Sequence, residues 1–147
     1  MFDICLKPGG SANVLIALHD RDHVHHIRAA TWFEANIKHG WASCPLTQNG
    51  CLRIMNQPGY SSPQPLSALL AMLSQSTSAR VHKTWFDDIS VLDAARFQHS
   101  HMHGHRQLTD LYFLSLAVKN KGRLASFDQR IPMSAVRGAT AAHMVML

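Results

Sequence analysis

The sequence predicts an α/β protein built around a parallel sheet, and two observations carry that expectation. Segments with helical apolar spacing alternate along the chain with short apolar runs of strand character. That order arises when each parallel strand is joined to the next by a crossover helix. The 147 residues, 46% of them hydrophobic, suffice for one compact core, so residues 1–147 read as a single domain. No internal repeat, low-complexity tract or linker interrupts them.

The first strand is expected over Phe2 to Leu6, and a turn or two of helix over Ala12 to Leu18 after the break at Pro8, Gly9 and Gly10. From Asp22 the positions Val24, Ile27, Phe33 and Ile37 suit one helical face, which Gly40 ends. Trp41 to Cys44 reads as a short strand and Thr47 to Ile54 as the next helix. Pro58, Gly59, Ser61, Ser62 and Pro63 then form a loop before helix resumes over Leu66 to Leu73. Arg80 to Trp85 has strand character, Ser90 to Phe97 reads as a short helix, and Gln98 to Gln107 as a polar, histidine-rich loop. The strongest helix is Leu108 to Lys119, with Leu111, Leu114, Ala117 and Val118 on one side, Thr109 and Asp110 near its start, and Gly122 as its stop. Arg123 to Phe127 and His143 to Leu147 supply two further strands.

The formal net charge of +5 favours an acidic partner, nucleic acid first, because each Lys or Arg set against a phosphate releases a counterion. No apolar run approaches the roughly 18 residues that span a bilayer, and the opening MFDICLKPGG lacks the apolar stretch of a signal peptide. A cytoplasmic protein is the expectation. Cys5, Cys44 and Cys51 show no CxxC spacing, so buried reduced thiols are expected rather than disulfides or a zinc ribbon.

Three stretches carry a more specific signal: SANVLIALHDRDHVHH, CPLTQNGCLRI and GHRQLTDLYFLSLAVKNKGRLASFD, which together extend from Ser11 to Asp128. In motif and spacing the chain resembles the PIN-domain family, and within it the VapC-type ribonuclease toxins of toxin-antitoxin pairs. The resemblance implies a three-layer α/β/α sandwich on a central parallel sheet. It also implies cleavage of RNA phosphodiesters with Mg2+ or Mn2+ held by clustered carboxylates. A hard divalent cation prefers oxygen ligands, and phosphodiester hydrolysis needs its charge, so several acidic side chains must converge.

Asp110 matches the family's acidic residue at the start of the helix after GHRQLT, and Asp128 the one that follows a strand, here as Ser126, Phe127, Asp128. By resemblance both are catalytic and metal-binding; taken alone, Asp110 reads as a helix N-terminal anion and Asp128 as a turn former. Asn13 is expected to orient the site by hydrogen bonds. Gln48 stands where many relatives carry Glu, offering an amide oxygen without charge. The family's D-x-N-V-L-I motif here begins with Ser11, so its first acidic ligand is absent. Asp3 is the only upstream acid, and Asp20, Asp22, Asp87 and Asp88 read as capping or solvated residues.

For RNA contact, Arg106, four residues before Asp110, is the favoured phosphate partner, with Arg53 and Lys83 as further candidates. Trp32, Trp41 and Trp85 could stack on unpaired bases, though Trp32 beside Phe33 and Trp41 at a strand start suit the core better. His99, His101, His103 and His105 alternate in HSHMHGHR, a spacing at which imidazoles can also bind zinc, copper or nickel. The resemblance further implies a cognate antitoxin and a homodimer. The rival reading is a PIN-like RNA- or antitoxin-binding module that has lost catalysis.

Ser11 decides between these two. A hydroxyl that is neutral at pH 7 is a poor magnesium ligand, whereas a carboxylate brings charge and a strong oxygen donor. Ser11→Asp is expected to raise metal-dependent cleavage of unstructured RNA well above that of the parent chain. Assays of both proteins with magnesium, manganese and chelator check this; equal rates would remove Ser11 from the site.

Overall fold

The computed structural model describes residues 3–5 as a backbone strand and residues 14–147 in full. Among them, five strands form one sheet: β1 (Asp3–Cys5), β2 (Trp41–Ser43), β3 (His82–Thr84), β4 (Arg123–Ser126) and β5 (Met144–Met146). Their order is β3-β2-β1-β4-β5, and every neighbouring pair is parallel. The helices are α1 (Val14–His19), α2 (His26–Asn36), α3 (Pro45–Asn56), α4 (Leu66–Thr77) and α5 (His105–Lys119). This is the α/β PIN-like arrangement that the sequence led one to expect.

A parallel sheet covered on both faces must be apolar along whole strands, not on alternate residues. Trp41, Ala42 and Ser43 of β2 are accordingly all buried, as are Leu124, Ala125 and Ser126 of β4. Consecutive residues point to opposite faces, and Leu124 and Ala125 join different core clusters. The larger cluster gathers Leu15, Trp41, Leu69, Trp85, Phe97, Leu111 and Leu114; the smaller gathers Val14, Ala17, Ala29 and Leu147. Edge strand β3, with the sequence HKT, keeps its lysine and threonine exposed, which discourages further strand pairing.

Local chemistry sets the helix ends. Pro45 opens α3 where its missing N–H costs nothing, and Thr47 accepts the Cys44 N–H at 3.0 Å through its hydroxyl. The Asp87 carboxylate takes the Leu46 N–H at 2.7 Å, so a residue distant in sequence completes the cap. Beyond α5 it is Lys121, at φ 54°, that adopts the left-handed turn, while the Gly122 N–H closes on the Ala117 carbonyl at 2.9 Å.

Three sequence expectations need correction. Val24 and Ile27, expected to share one helical face with Phe33 and Ile37, are 83% and 80% exposed; Ala29 is buried instead, with Trp32 and Phe33 packing on the core clusters. Ser90 to Phe97 is not a helix but a run of turns ending in an antiparallel bridge from Phe97 to Val136. Ser90 Oγ accepts the Leu92 N–H at 3.1 Å and Asp93 Oδ1 the Ala95 N–H at 2.9 Å, local bonds that compete with a helical ladder. The histidine-rich segment is shorter than expected, because α5 already begins at His105 and His99–His101 forms a 3-10 turn. Gln107 reaches back to accept the His103 N–H at 3.3 Å and so closes that entrance.

Core and exposed apolar positions should therefore respond differently to truncation. Leu114→Ala, at a fully buried position on α5, is expected to cost about 2–5 kcal/mol, and Ile27→Ala no more than about 0.5 kcal/mol. Denaturant unfolding of both variants measures the difference, and a large loss at Ile27 would contradict the orientation of α2.

Candidate functional site

From β1 the sheet grows outward through β2 to β3, and the chain then crosses to the other side of β1 to place β4 and β5. In open α/β sheets such a reversal leaves a crevice at the carboxyl ends of the strands flanking it, here β1 and β4. Asp128 stands two residues past the end of β4. Its N–H donates to Ser126 Oγ at 3.0 Å, and its Oδ1 accepts the Arg130 N–H at 2.9 Å and the Arg130 Nε–H at 3.3 Å. The carboxylate side chain is 23% exposed and the Arg130 side chain 90%, so solvent weakens their ion pair.

Asp110 lies on α5, which packs against β4, and is only 4% exposed. With α5 starting at His105, Asp110 falls in its second turn, and the first turn contains no acid. The helix dipole acts mainly on the first turn, so it does not account for this carboxylate. Its neighbours Leu111, Phe113 and Leu114 are fully buried. A carboxylate is held on such a face only when partners offset the loss of water around it.

Gln48, at the end of the first turn of α3, donates from Nε2 to Ser43 Oγ at 2.8 Å, and the same hydroxyl lies 2.8 Å from His82 Nε2. It lines an open cavity of about 650 Å³ together with Leu46, Asp87 and Tyr112. Arg106 is exposed one turn before Asp110, on the same side of α5. Arg53 is exposed in the last turn of α3, at the end away from Gln48, and Lys83 is exposed on edge strand β3. Asn13 and Ser11 lie outside the described residues.

The alternating histidines do not assemble. His99 Nε2 bonds the Val91 carbonyl at 2.7 Å and His101 Nδ1 the Ser134 carbonyl at 3.2 Å, so these rings tie neighbouring turns together. Among the described residues no three His, Cys, Asp or Glu side chains gather as a metal site. Cys44 and Cys51 are free and buried, and burial pushes both thiols up to about 12, which makes them poor nucleophiles at neutral pH. Trp41 and Trp85 belong to the larger core, and Trp32 packs against the smaller one.

Asp20, expected as a capping or solvated residue, does cap its turn but is not solvated. It is 8% exposed, accepts the Asp22 N–H at 3.0 Å, and takes the Tyr60 hydroxyl as well. Beside it, His19 Nδ1 donates to the Leu15 carbonyl at 2.8 Å and Nε2 lies 2.8 Å from Ser76 Oγ; burial lowers the ring's pKa. These partners lie 40 and 57 positions away, separations at which no spacing rule operates.

A model of the PIN domain matches residues 12–137. Ribonuclease VapC44 of Mycobacterium tuberculosis is 45% identical over 135 residues, covering 92% of this chain and 95% of that protein. Ribonuclease VapC39 of the same species is 35% identical over 127 residues, covering 86% and 91%. Ribonuclease VapC29 is 39% identical over 117 residues, covering 80% and 82%.

The two tyrosines report on the carboxylates they meet. Desolvation raises the pKa of both, and the neighbouring charge adds to it: Asp20 for Tyr60, and Asp87, 3.1 Å from the hydroxyl, for Tyr112. A raised folded value means that each contributes stability below the unfolded value of about 10, lost as pH rises through the folded one. In alkaline spectrophotometric titration, tyrosinate absorbance should thus appear later than in the unfolded chain, and Asp20→Asn should bring one transition down. Two ordinary transitions in the parent would contradict both pairings.

Proposed function

The chain belongs to the PIN-domain family, in its VapC-type branch, and on that premise we propose that it is an endoribonuclease toxin that hydrolyses RNA with divalent metal at Asp110 and Asp128. The observation that carries this reading is the buried carboxylate of Asp110, beyond the range of the helix dipole, on the helix that packs against β4. Asp128 follows the end of that same strand.

The donor set suits a hard ion. Two carboxylates offer oxygen, with the Ser126 hydroxyl beside Asp128, whereas the Cys44 and Cys51 thiols are buried and His99 and His101 are bonded to backbone carbonyls. Bound there, Mg2+ or Mn2+ would supply positive charge to offset the charge that develops on the phosphodiester. Asp110 and Asp128 would hold the ion. Asn13 would orient the site, and Gln48, tied to Ser43, would present a neutral amide at its margin. Arg106 would meet a phosphate beside the site, and Arg53 would serve the RNA at a more distant contact. With Ser11 in place of the first family acid, fewer charges hold the ion, so metal binds weakly.

A cognate antitoxin that blocks the site, a homodimer and a cytoplasmic location complete the proposal; no helix among the described residues is long and apolar enough to cross a membrane. The loss of charge at Ser11 and Gln48 supports a second reading, an RNA- or antitoxin-binding module without catalysis.

Binding and cleavage are expected to separate. Asp110→Ala should lower any cleavage by more than about 100-fold, since charge stabilisation by the metal is worth several kcal/mol. Its affinity for single-stranded RNA should persist and fall with rising salt, because basic residues act on phosphates without the acids. Cleavage and binding assays across a salt series provide the measurement; undiminished cutting by Asp110→Ala would refute the site.

A further inference from the structure

The turn between α1 and α2 brings aromatic and cationic side chains against the residue beside Asp128. The His25 ring stacks on Phe127 with centroids 4.5 Å apart and planes at 25°. Arg28, in the first turn of α2, holds its guanidinium carbon 5.9 Å from the centroid of the same phenyl ring. His23 stands 5.7 Å from His25, and its Nδ1 accepts the His25 N–H at 3.1 Å. His26 anchors the turn by donating from Nδ1 to the Ala17 carbonyl at 2.7 Å. The Phe127 ring also packs on the smaller core cluster, so the whole group has a rigid base.

Closing a turn before a helix needs only a small polar cap, and here no side chain caps α2. The turn instead presents a half-buried imidazole stacked on phenyl, with the exposed Arg28 over the same phenyl ring and a second exposed cation, Arg21, earlier in the turn. Unpaired bases stack on aromatic faces whatever their identity, and guanidinium groups take the phosphates between them. Phe127 immediately precedes Asp128, so this stack borders the carboxyl end of β4.

Resting on the ribonuclease reading above, we propose that His25, seated on Phe127 and flanked by Arg28, is a stacking platform for an unpaired base of the RNA strand that passes Asp110 and Asp128. The platform selects single-stranded RNA, because a base held in a duplex cannot offer its face. Arg28 neutralises a neighbouring phosphate. His25 thus acts in binding and positioning, apart from the chemical step.

The test uses the full chain in chelator with a single-stranded oligoribonucleotide carrying 2-aminopurine, whose fluorescence is quenched on stacking. His25→Leu keeps apolar contact with Phe127 but has no π face; it should weaken binding about 5- to 150-fold and abolish the quench, with the salt slope unchanged. His25→Phe should restore both signals. Arg28→Ala should keep the quench and reduce the salt slope by about 1. If the parent binds and His25→Leu binds as tightly with the quench intact, the platform is wrong while the ribonuclease reading stands. If the parent binds no RNA, both fail.

Discussion

The packing of α5 against β4 is the contact on which the rest of the molecule depends. Leu111, Phe113, Leu114 and Leu116 of α5 are fully buried, and with Leu124 of β4 they sit at the centre of the larger core. Because α5 leads into β4 through a turn of only three residues, Asn120 to Gly122, the helix and strand are fixed in relative position. Asp110 travels with the helix and Asp128 with the strand. Close-packed interiors deform little, so the placement of both acids is a by-product of core packing.

The same constraint explains where polar groups are tolerated. Carboxylates remain near the sheet's carboxyl edge only with partners: Asp87 on the α3 N-terminus and the Tyr112 hydroxyl, Asp128 in its Asx turn with Arg130, Asp88 on Lys119. Basic side chains are mostly exposed, as with Arg21, Arg28, Arg53, Arg106 and Arg130. Much of the net charge of +5 is therefore borne on the surface, available to a polyanion, while Asp87, Asp93 and Asp128 accept backbone N–H groups. The histidines follow a third course. His99, His101 and His26 each bond a backbone carbonyl and stabilise turns, and His25 contributes its ring face.

Much of this was legible in the chain itself. Strand-helix alternation and the apolar side of α5 depend on residues close in sequence, where periodicity and turn chemistry act directly, and the motifs around Ser11, Gln48, Asp110 and Asp128 were legible through their family resemblance. The boundaries of α5 and the Ser90 to Phe97 turns were not legible. There, side-chain to backbone bonds of a few tenths to one or two kcal/mol decide between near-equal local conformations. Val24 and Ile27 fit a helical face in sequence, but the sheet takes up Ala29 and Trp32 instead.

The sequence by itself determined the α/β class and the basic charge, because these follow from composition and from spacing along one chain segment, while resemblance to the PIN family singled out the acids at the two motif positions. Only the tertiary structure decided that Asp110 is buried beyond the first turn of its helix, that Asp20 meets Tyr60, and that His25 lies on Phe127. Each depends on segments tens of residues apart meeting in space, and such meetings are set by the packing of whole elements, to which local pattern is blind.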